Sequence, residues 1–282
     1  MANSNNEEQP VALVTGAGGG IGKAVVQKLA EKGFIVALAD INKNSLASVL
    51  NEIDSHHYSY PIDLTDPAAV KEMVADLSTR TGRIDLLVNN AGTVIFKPFE
   101  GCSIEELCHE NAVNYLSALY CTKAVLPLMI EAGRGSIISI SSLGAILPMS
   151  TSPNYTASKA ALRGLMLSLN LALREHGVHA GCVCPSAVDT KMLHGEALGG
   201  GSVLNFLAEP LTPEAVADAV WLAHVRRKAE ICLPGSEGVS SKLGNFFPSI
   251  LPKILPHLEK IGERNRLRFI KKKPLLESEE RR

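Results

Sequence analysis

Short apolar runs alternate with longer amphipathic stretches along most of the chain. The apolar runs have the character of buried strands and read VALVT (11–15), FIVALA (34–39), IDLLVNN (84–90), SIISIS (136–141) and VHAGCVC (178–184). The stretches with helical periodicity lie at about 21–33, 66–81, 114–132 and 153–176. Continuous apolar strands in alternation with amphipathic helices predict a parallel sheet that helices cover on both faces.

Polar residues mark the starts of several of these helices. Asp66 and Ser152 each precede a proline, which combines an N-cap residue with proline at the first helical position. Ser103 and Glu106 have the spacing of a capping box. The stretch 185–211 is rich in glycine and apolar residues and has no regular pattern, so we expect an irregular, mobile lid there.

The composition favours one large α/β domain, with two small domains as the alternative. The chain has 282 residues, of which 46% are hydrophobic and 20% charged, enough for a well-buried core. A net charge of −1 argues against nucleic acid as a partner. No run of about eighteen apolar residues occurs, so we expect no membrane-spanning helix. The polar, acidic start predicts a disordered tail at 1–10, no secretory signal and a cytoplasmic protein.

The six cysteines form no CxxC motif, so a disulfide framework is not expected. Cys182 and Cys184 could be a metal-ligand pair or two buried structural thiols. Alternation along a strand places both on one face of an apolar segment, which favours buried thiols. We therefore predict no metal site.

A glycine-rich turn, TGAGGGIG (15–22), separates the first strand from its helix. Gly16 can adopt the positive φ of a tight turn, Gly20 lets the backbone approach a pyrophosphate, and Gly22 lets the helix pack closely on the strand. The amides of the helix N-terminus would face the phosphates. The spacing is G-x-x-x-G-x-G, which differs from the widespread G-x-G-x-x-G.

Asp40 ends the next strand, twenty positions after Gly20. A carboxylate there can accept hydrogen bonds from the adenosine ribose and repel a 2′-phosphate. The alternative is that Asp40 only begins a polar turn. Gly19 also favours NAD over NADP, because no basic side chain stands there to meet a 2′-phosphate.

Ser142, Tyr155 and Lys159 form the candidate catalytic group. Tyr155 and Lys159 are i, i+4 neighbours on a predicted helix, and Ser142 follows a strand that ends at the same edge of the sheet. A phenol has an ordinary pKa of about 10, and a nearby ammonium favours the phenolate that a general base requires. A Tyr-x-x-x-Lys pair alone is common by chance, so the accompanying motifs decide the interpretation.

Together these motifs resemble those of the short-chain dehydrogenase/reductase family, over about residues 11–235. TGAGGGIG resembles the family's TGxxxGxG turn, NNAG (89–92) its cofactor-wall motif, and CPSAVDT (184–190) the segment after its sixth strand. The resemblance implies an NAD-binding catalytic domain over 11–235. Its expected fold is a three-layer, doubly wound Rossmann fold with a mostly parallel sheet of about seven strands.

The resemblance also assigns roles to residues. Asn114 is similar to the residue that completes the catalytic tetrad and holds a water next to Lys159. Asp63 is similar to the residue that contacts adenine, and Thr190 to the one that binds the carboxamide. The implied cofactor contacts are Gly16, Gly18, Gly19, Gly20, Ile21, Gly22, Asp40, Ile41, Asp63, Leu64, Asn90, Ala91, Gly92, Tyr155, Lys159, Pro185, Val188 and Thr190. Ser186 departs from the family's usual glycine after the proline.

The function that follows is NAD-dependent interconversion of a hydrophobic secondary alcohol and its ketone, with a steroid-like or lipid-like substrate. Tyr155 would act as general acid and base, and Ser142 would hold the substrate oxygen. The alternatives are an NADPH-dependent carbonyl or 3-oxoacyl reductase and a silent dinucleotide-binding regulator. By family habit the helices at 114–132 and 153–176 would pair in a homodimer or homotetramer.

The C-terminal extension, 236–282, mixes apolar clusters and prolines with a basic tail. Two interpretations stay open: an interfacial membrane contact, or a segment that covers the substrate pocket or a subunit interface. Because the prolines should interrupt any long amphipathic helix, the second is slightly favoured.

Overall fold

A computed structural model describes residues 9–53 and 56–273 of the chain. Residues 1–8 of the predicted tail and residues 274–282 of the extension lie outside the described residues. Seven strands form the sheet: β1 (Val11–Thr15), β2 (Ile35–Asp40), β3 (Tyr58–Pro61), β4 (Leu86–Asn89), β5 (Gly135–Ile140), β6 (Val178–Pro185) and β7 (Glu230–Leu233).

All seven strands are parallel, in the order β3-β2-β1-β4-β5-β6-β7. The order reverses between β1 and β4, and open α/β sheets bind ligands at such a switch point. The predicted parallel sheet of about seven strands is confirmed. The sequence analysis did not identify the edge strands β3 and β7, because each is only four residues long, too short for a clear pattern.

Helices cover both faces of the sheet. Their bounds are α1 (Gly20–Glu31), α2 (Lys43–Leu50), α3 (Pro67–Thr81), α4 (Ile104–Asn111), α5 (Ser117–Glu131), α6 (Pro153–Ala172), α7 (Lys191–Gly199), α8 (Pro213–Val225), α9 (Gly235–Phe246) and α10 (Leu251–Lys272). Apolar residues of α3, α5 and α6 pack on one face of the sheet and those of α1, α2 and α8 on the other. The three-layer, doubly wound architecture is therefore confirmed.

Helix starts follow the sequence signals closely, with one exception. The Ser103 hydroxyl accepts a hydrogen bond from the Glu106 amide (3.2 Å), and the Glu106 carboxylate accepts one from the Ser103 amide (2.8 Å), so the capping box is confirmed. Asp66 caps α3 through its side chain. Ser152 stands at the N-cap position of α6, but its buried hydroxyl makes no cap bond and has no partner among the described residues.

The stretch Ile104–Glu131 is long and apolar enough, by length and composition, to cross a membrane. The sequence analysis expected no such helix. In the fold the stretch comprises α4, a π-helical turn at Ala112–Leu116 and α5. Because α5 packs against α3, β4 and β5, part of its apolar surface, including Cys121, Val125 and Met129, lies in the core of the protein.

Two expectations about the later part of the chain are wrong. The stretch 185–211 is not wholly irregular, because α7 and a short 3-10 turn at Val203–Phe206 form within it. The prolines of the extension do not prevent a long helix either, since α10 runs unbroken through Pro256. Pro256 lies near the helix start and removes one backbone hydrogen bond. Residues further along α10 pack on the rest of the protein, and this packing stabilises the helix.

Candidate active site

A cavity of about 550 Å³ opens at the carboxyl edge of the sheet, beside the switch point. It brings together most of the residues that the sequence singled out. Those lining it are Gly16, Gly18, Gly19, Gly20, Ile21, Asp40, Asn90, Ala91, Gly92, Ser142, Tyr155, Lys159, Pro185, Val188 and Thr190. One cavity of this size along the strand ends can hold an extended ligand with a second molecule beside it.

The glycine turn adopts the close-packed form that its spacing predicts. Gly16 has φ +61, which favours glycine, and a Cβ on Gly22 would lie 2.0 Å from the Gly16 carbonyl oxygen. A Cβ on Gly20 would lie 2.9 Å from Thr190 Cγ2, at the opposite wall of the cavity. Helix α1 begins at Gly20 without a side-chain cap, so its first amides remain available to phosphate oxygens.

Asp40 is held at the end of β2 by two backbone amides. Its carboxylate accepts hydrogen bonds from the Gly18 amide (3.0 Å) and from the Asn42 amide (2.9 Å). This ties the acidic side chain to the glycine turn and keeps it on the cavity wall. Lys23, which lines the same end of the cavity, pairs with Glu52 at 2.7 Å.

The NNAG motif holds the glycine turn from the neighbouring strand. The Asn90 side-chain amide donates to the carbonyl oxygens of Thr15 (3.0 Å) and Gly16 (2.9 Å), while Thr15 Oγ1 accepts from the Asn90 and Ala91 amides. Asn89 points the other way and donates to Thr122 Oγ1 and Ser139 Oγ. The motif therefore fixes the junction of β1 and β4, from which Ala91 and Gly92 reach the cavity.

Ser142, Tyr155 and Lys159 meet on the cavity wall. Lys159 Nζ lies 5.8 Å from the centre of the Tyr155 ring and donates to the Ile140 carbonyl oxygen at 3.1 Å. The Ser142 hydroxyl lies near enough to the Tyr155 phenol to lower its pKa, and it accepts a hydrogen bond from the Gly144 amide at 3.0 Å. The lysine is buried, with 4% of its surface exposed. The position of its amino group is therefore set by protein contacts.

Burial controls the protonation of both groups. It raises the pKa of Tyr155, the charges of Glu196 and Glu110 raise it further, and the hydrogen bond with Ser142 opposes the rise. Burial also lowers the pKa of Lys159 to about 8. In both cases the neutral form is favoured, because a charge is costly in a low-dielectric site. At neutral pH the phenol therefore keeps its proton.

Asn114 lies behind the lysine, in the π-helical turn between α4 and α5. Its side chain accepts from the Thr93 amide (2.8 Å) and donates to the Thr93 carbonyl oxygen (3.0 Å) and to Ser158 Oγ (3.1 Å). A Cβ on Gly92 would lie 3.2 Å from Lys159 Nζ and 3.3 Å from Asn114 Oδ1. Asn114 thus anchors the segment after β4 beside Lys159, although it does not line the cavity.

A few predicted cofactor contacts lie off the cavity wall. Ile41 is 73% exposed, and Leu64 is 7% exposed and packs in the core. Asp63 binds the amide and hydroxyl of Thr65, and these hydrogen bonds lower its pKa. Gly22 acts through packing in the glycine turn. The resemblance supplied these positions, and none of the four lines the cavity.

The sequence analysis missed a polar pair on the lid. Glu196 of α7 is only 7% exposed and accepts a hydrogen bond from Asn205 Nδ2 at 2.9 Å, and both residues line the cavity. Burial raises the pKa of Glu196 to about 7, against the effect of the Asn205 bond. Two apolar neighbours on the same helix, Met192 and Leu193, also line the cavity. No sequence signal identified Glu196, because a glutamate in a segment without a regular pattern is normally solvent-exposed.

Ser186, the departure from the family's usual glycine, fits the local backbone. Among the described residues other than glycine, only Arg227 has a positive φ, so residue 186 does not require glycine. The Ser186 amide donates to the Leu233 carbonyl oxygen at 2.7 Å. The turn after β6 is therefore intact, and it carries Val188 and Thr190 to the cavity.

Cys182 and Cys184 lie side by side in the core, as alternation along β6 predicts. Their sulfur atoms are 4.0 Å apart, and Glu230 lies close enough for the three groups to surround an ion. The carboxylate of Glu230, however, already pairs with Arg163 (2.5 Å) and with Lys242. The hydrogen bond with Cys182 raises the pKa of Cys184, which favours thiols over the thiolates that a metal needs.

The residues present fit a nicotinamide dinucleotide. Side chains at Gly18 and Gly20 would collide with neighbouring atoms, so the backbone of the turn is open to a ligand. Helix α1 begins at this turn, and the carboxylate of Asp40 lines the same part of the cavity, where it could accept hydrogen bonds from an adenosine ribose. At the other end, Lys159 is within reach of a second ribose, next to Tyr155. A cofactor that spans these groups would leave the space beside Met149, Leu193 and Glu196 for a substrate.

Comparison with known proteins identifies the class. A model of the short chain dehydrogenase family matches residues 10–198. The 1-deoxy-11-beta-hydroxypentalenate dehydrogenase of Streptomyces avermitilis is 33% identical over 218 residues, 75% of this chain and 80% of that protein. A solved short-chain dehydrogenase from Streptomyces avermitilis is 26% identical with a TM-score of 0.75, covering 89% of this chain and 96% of that one.

A further solved structure shares the fold at lower identity. A short-chain dehydrogenase/reductase from Burkholderia phymatum, in complex with NAD, is 21% identical with a TM-score of 0.78 and covers 86% of this chain and 95% of that one. The present chain belongs to the short-chain dehydrogenase/reductase family. It is an oxidoreductase that acts on CH–OH groups.

Proposed function

We propose that the chain is an NAD-dependent oxidoreductase that interconverts a hydrophobic secondary alcohol and the corresponding ketone. The observation that carries the proposal is the arrangement along one cavity of Asp40, the glycine turn and the Ser142–Tyr155–Lys159 group. A bound nicotinamide dinucleotide supplies or accepts the hydride. The chain's own residues bind, orient and move the proton.

In alcohol oxidation, the Tyr155 oxygen, in its phenolate form, takes the hydroxyl proton of the substrate. The Ser142 hydroxyl donates a hydrogen bond to the same substrate oxygen and stabilises the charge that develops there. Lys159, held by the Ile140 carbonyl oxygen, places a positive charge near the phenol when it is protonated. In ketone reduction, Tyr155 returns its proton to the substrate oxygen. Burial keeps that proton on the phenol at neutral pH.

The preference for NAD rests on the charges at the adenosine end of the cavity. Asp40 presents a carboxylate that is oriented by two amides, and Lys23 is neutralised by Glu52. A 2′-phosphate would therefore meet the negative side chain of Asp40, and the lysine beside it, Lys23, is already paired. Lys191 also lines the cavity, next to Thr190. A ribose hydroxyl, in contrast, can donate to Asp40.

Fluorescence titration of the purified protein with NADH and with NADPH tests this preference. We expect NADH to bind at least about tenfold more tightly, a difference of about 1.4 kcal/mol. Asp40→Ser should reduce the difference in affinity between NADH and NADPH. Asp63→Ser removes an acidic side chain that does not line the cavity, and it should leave this difference unchanged. A preference for NADPH would favour the carbonyl-reductase alternative, and binding of neither would favour the silent regulator.

The substrate class follows from the lining beside Tyr155. Val94, Met149, Met192 and Leu193 provide apolar surface, and Glu196 with Asn205 adds one polar point. This supports a steroid-like or lipid-like alcohol with few polar groups. One relative's name, 1-deoxy-11-beta-hydroxypentalenate dehydrogenase, refers to a hydroxylated substrate. A screen of secondary alcohols with NAD, followed by NADH absorbance, tests the class; turnover confined to small polar alcohols or sugars would contradict it.

We also propose a homodimer or homotetramer formed through α5 and α6. Leu171 of α6 is 71% exposed and Ile130 of α5 is 36% exposed, which leaves apolar surface for a partner. Light scattering coupled to gel filtration measures the mass directly. Leu171→Glu should weaken the assembly, and a monomeric native protein would contradict the proposal. That the enzyme works in the cytoplasm stays a prediction.

A further inference from the structure

The C-terminal extension carries a concentrated apolar surface. Seventeen large apolar side chains are exposed among the described residues, and eight of them fall within 239–267. Exposed apolar side chains are therefore concentrated in the extension. We call seven of them the apolar ridge: Val239, Leu243, Phe246, Phe247, Ile250, Ile254 and Ile261. Phe246 is 76% exposed and Phe247 60%, at the corner between α9 and α10.

The ridge is regular along both helices. Val239, Leu243 and Phe246 recur at the spacing of one helical face of α9, away from its buried Gly238 and Ser241. Ile254 and Ile261 are seven residues apart on α10 and continue the exposed apolar surface beyond the corner. A contiguous exposed apolar surface of this kind marks a site of interaction with a protein or a membrane.

A basic stripe runs along α10 beside the ridge. Lys253, Lys260, Arg264 and Lys271 are separated by seven, four and seven residues, which places them on one face of the helix. All four are exposed, and none has a carboxylate partner among the described residues. Each basic residue that precedes a ridge residue, as Lys253 precedes Ile254 and Lys260 precedes Ile261, lies about 100° from it around the helix.

The acidic residues of α10 point elsewhere. Glu259 accepts a hydrogen bond from the Ser150 hydroxyl at 3.1 Å, on the body of the domain. Glu263 pairs with Arg266, whose guanidinium also donates to the Ala197 carbonyl oxygen. Positive charge is therefore separated from negative charge around the helix, and the outward side is both apolar and cationic.

The outward surface adjoins the substrate end of the cavity. On the inner side of the extension, Phe269 and Ile270 pack against Leu193 and Phe206 of the lid. A Cβ on Gly244, at the end of α9, would lie 3.2 Å from Leu147 Cδ1, in the segment between Ser142 and Met149 of the cavity wall. The same helix pair thus contacts both sides of the substrate site.

We propose that the apolar ridge and the basic stripe form a docking surface for an anionic membrane. The apolar side chains would enter the interfacial region of one leaflet while the lysines and arginine meet lipid phosphates. A second copy of the chain fits this surface less well. A two-fold interface would place the basic stripe near its own copy, where like charges repel.

This surface gives the enzyme a direct supply of apolar substrate. A lipid-like alcohol dissolved in the membrane would leave the bilayer next to the lid and the Ser142–Met149 segment. That consequence rests on the proposed function, whereas the docking surface itself does not. Vesicle binding requires no catalysis, so failure of the docking surface and failure of the proposed function give different results.

Sedimentation of the full chain with vesicles tests the proposal. We expect binding to phosphatidylcholine mixed with phosphatidylglycerol at about 2:1, weaker binding to phosphatidylcholine alone, and loss of the difference when salt rises to about 500 mM. Phe246→Ser/Phe247→Ser should lower the partition coefficient about tenfold or more, since each removes a large apolar contact. Lys253→Gln/Lys260→Gln/Arg264→Gln should abolish the preference for phosphatidylglycerol.

A control variant and two checks of folding accompany the experiment. Ile104→Ser removes a side chain that is 70% exposed outside the extension, and it should leave vesicle binding unchanged. Circular dichroism and NADH titration establish that each variant is folded. Native protein that ignores anionic vesicles, or variants that bind as well as the native chain, would overturn the proposal. A fall in molecular mass in the Phe246/Phe247 variant, without loss of vesicle binding, would assign the ridge to a second copy.

Discussion

At the scale of single residues, burial acts on Tyr155 and Lys159 in opposite directions. It raises the pKa of the phenol and lowers that of the ammonium to about 8, so both neutral forms are favoured. A protonated phenol is the form that can donate a proton to a ketone. Alcohol oxidation needs the phenolate, and we therefore expect oxidation to speed up as pH rises above neutrality.

Removal of the phenol hydroxyl should stop the chemistry without affecting the cofactor. In Tyr155→Phe we expect kcat to fall about 10²–10⁴-fold, the usual contribution of a general acid or base. The NADH dissociation constant should change little, because the ring remains. Tyr120→Phe, on a helix away from the cavity, is the matched control. Substantial turnover by Tyr155→Phe would move the proton-transfer role to another group.

Glu196 makes the folded state pH-dependent. Its pKa is about 7 in the fold and 4.5 ordinarily, so the protonated form is favoured by folding. Stability is therefore unaffected below about pH 4.5, declines between 4.5 and 7, and carries the full cost, on the order of 3 kcal/mol, above 7. We expect Glu196→Gln, which keeps an acceptor for Asn205, to stabilise the protein by about 1–3 kcal/mol at pH 8 and hardly at pH 5.

Urea unfolding at pH 5 and pH 8 measures this difference. Glu72→Gln, on the exposed surface of α3, should show no comparable pH effect. Equal stabilisation of Glu196→Gln at both pH values would mean that the carboxyl is not neutralised by the fold. The burial of Glu196 could not be predicted from the sequence. It arises because α7 turns this side chain into the cavity, where Asn205 donates to it.

At the scale of elements, the turn between β1 and α1 depends on close backbone approach. A Cβ on Gly22 would lie 2.0 Å from the Gly16 carbonyl oxygen, and the backbone cannot yield there without opening the turn. We expect Gly22→Ala to destabilise the protein by about 1–3 kcal/mol and to weaken NADH binding. Thermal unfolding and NADH titration would report both effects.

Gly164 provides the matched helical control. It lies in α6, and a Cβ there meets no atom of the same chain within 4 Å. Gly164 shares a helical face with Leu171, so the comparison is made in the Leu171→Glu background, where Gly164→Ala should stabilise the protein by about 0.5–1 kcal/mol. If both alanine variants behaved alike, the close approach at Gly22 would not matter for the turn. The contrast separates the helix propensity of alanine from the steric requirement of the site.

The helices, strands and turns differ in whether the sequence alone could predict them. The strands β1, β4, β5 and β6, the capping box of Ser103 and the proline start of α6 were predictable because each carries a local physical signal. Helix α10 was not, because Pro256 suggested a break that packing on the lid overrides. The π-helical turn at Asn114 and the 3-10 turn at Val203–Phe206 also arise from tertiary contacts, which no local pattern records.

At the scale of the whole molecule, the extension and the substrate lid form one packed unit. Phe269 and Ile270 of α10 join Leu193 and Phe206 of the lid in a small apolar cluster. Lys273 pairs with Asp189, where burial would raise the pKa of the carboxyl but the Lys273 and His194 partners lower it. The C-terminal helix therefore restrains a segment that the sequence alone suggested was mobile.

Gly262 is the point where this restraint can be tested. It is the buried residue of α10, and a Cβ there would lie 2.1 Å from the Val203 carbonyl oxygen. In Gly262→Ala we expect α10 to separate from the lid, so that KM for the alcohol rises several-fold while the NADH dissociation constant is unchanged. Limited proteolysis should cut faster within 191–207, and Gly164→Ala should show neither effect. An unchanged KM with unchanged proteolysis would mean that the lid keeps its shape without α10, and that the extension serves only its outer surface.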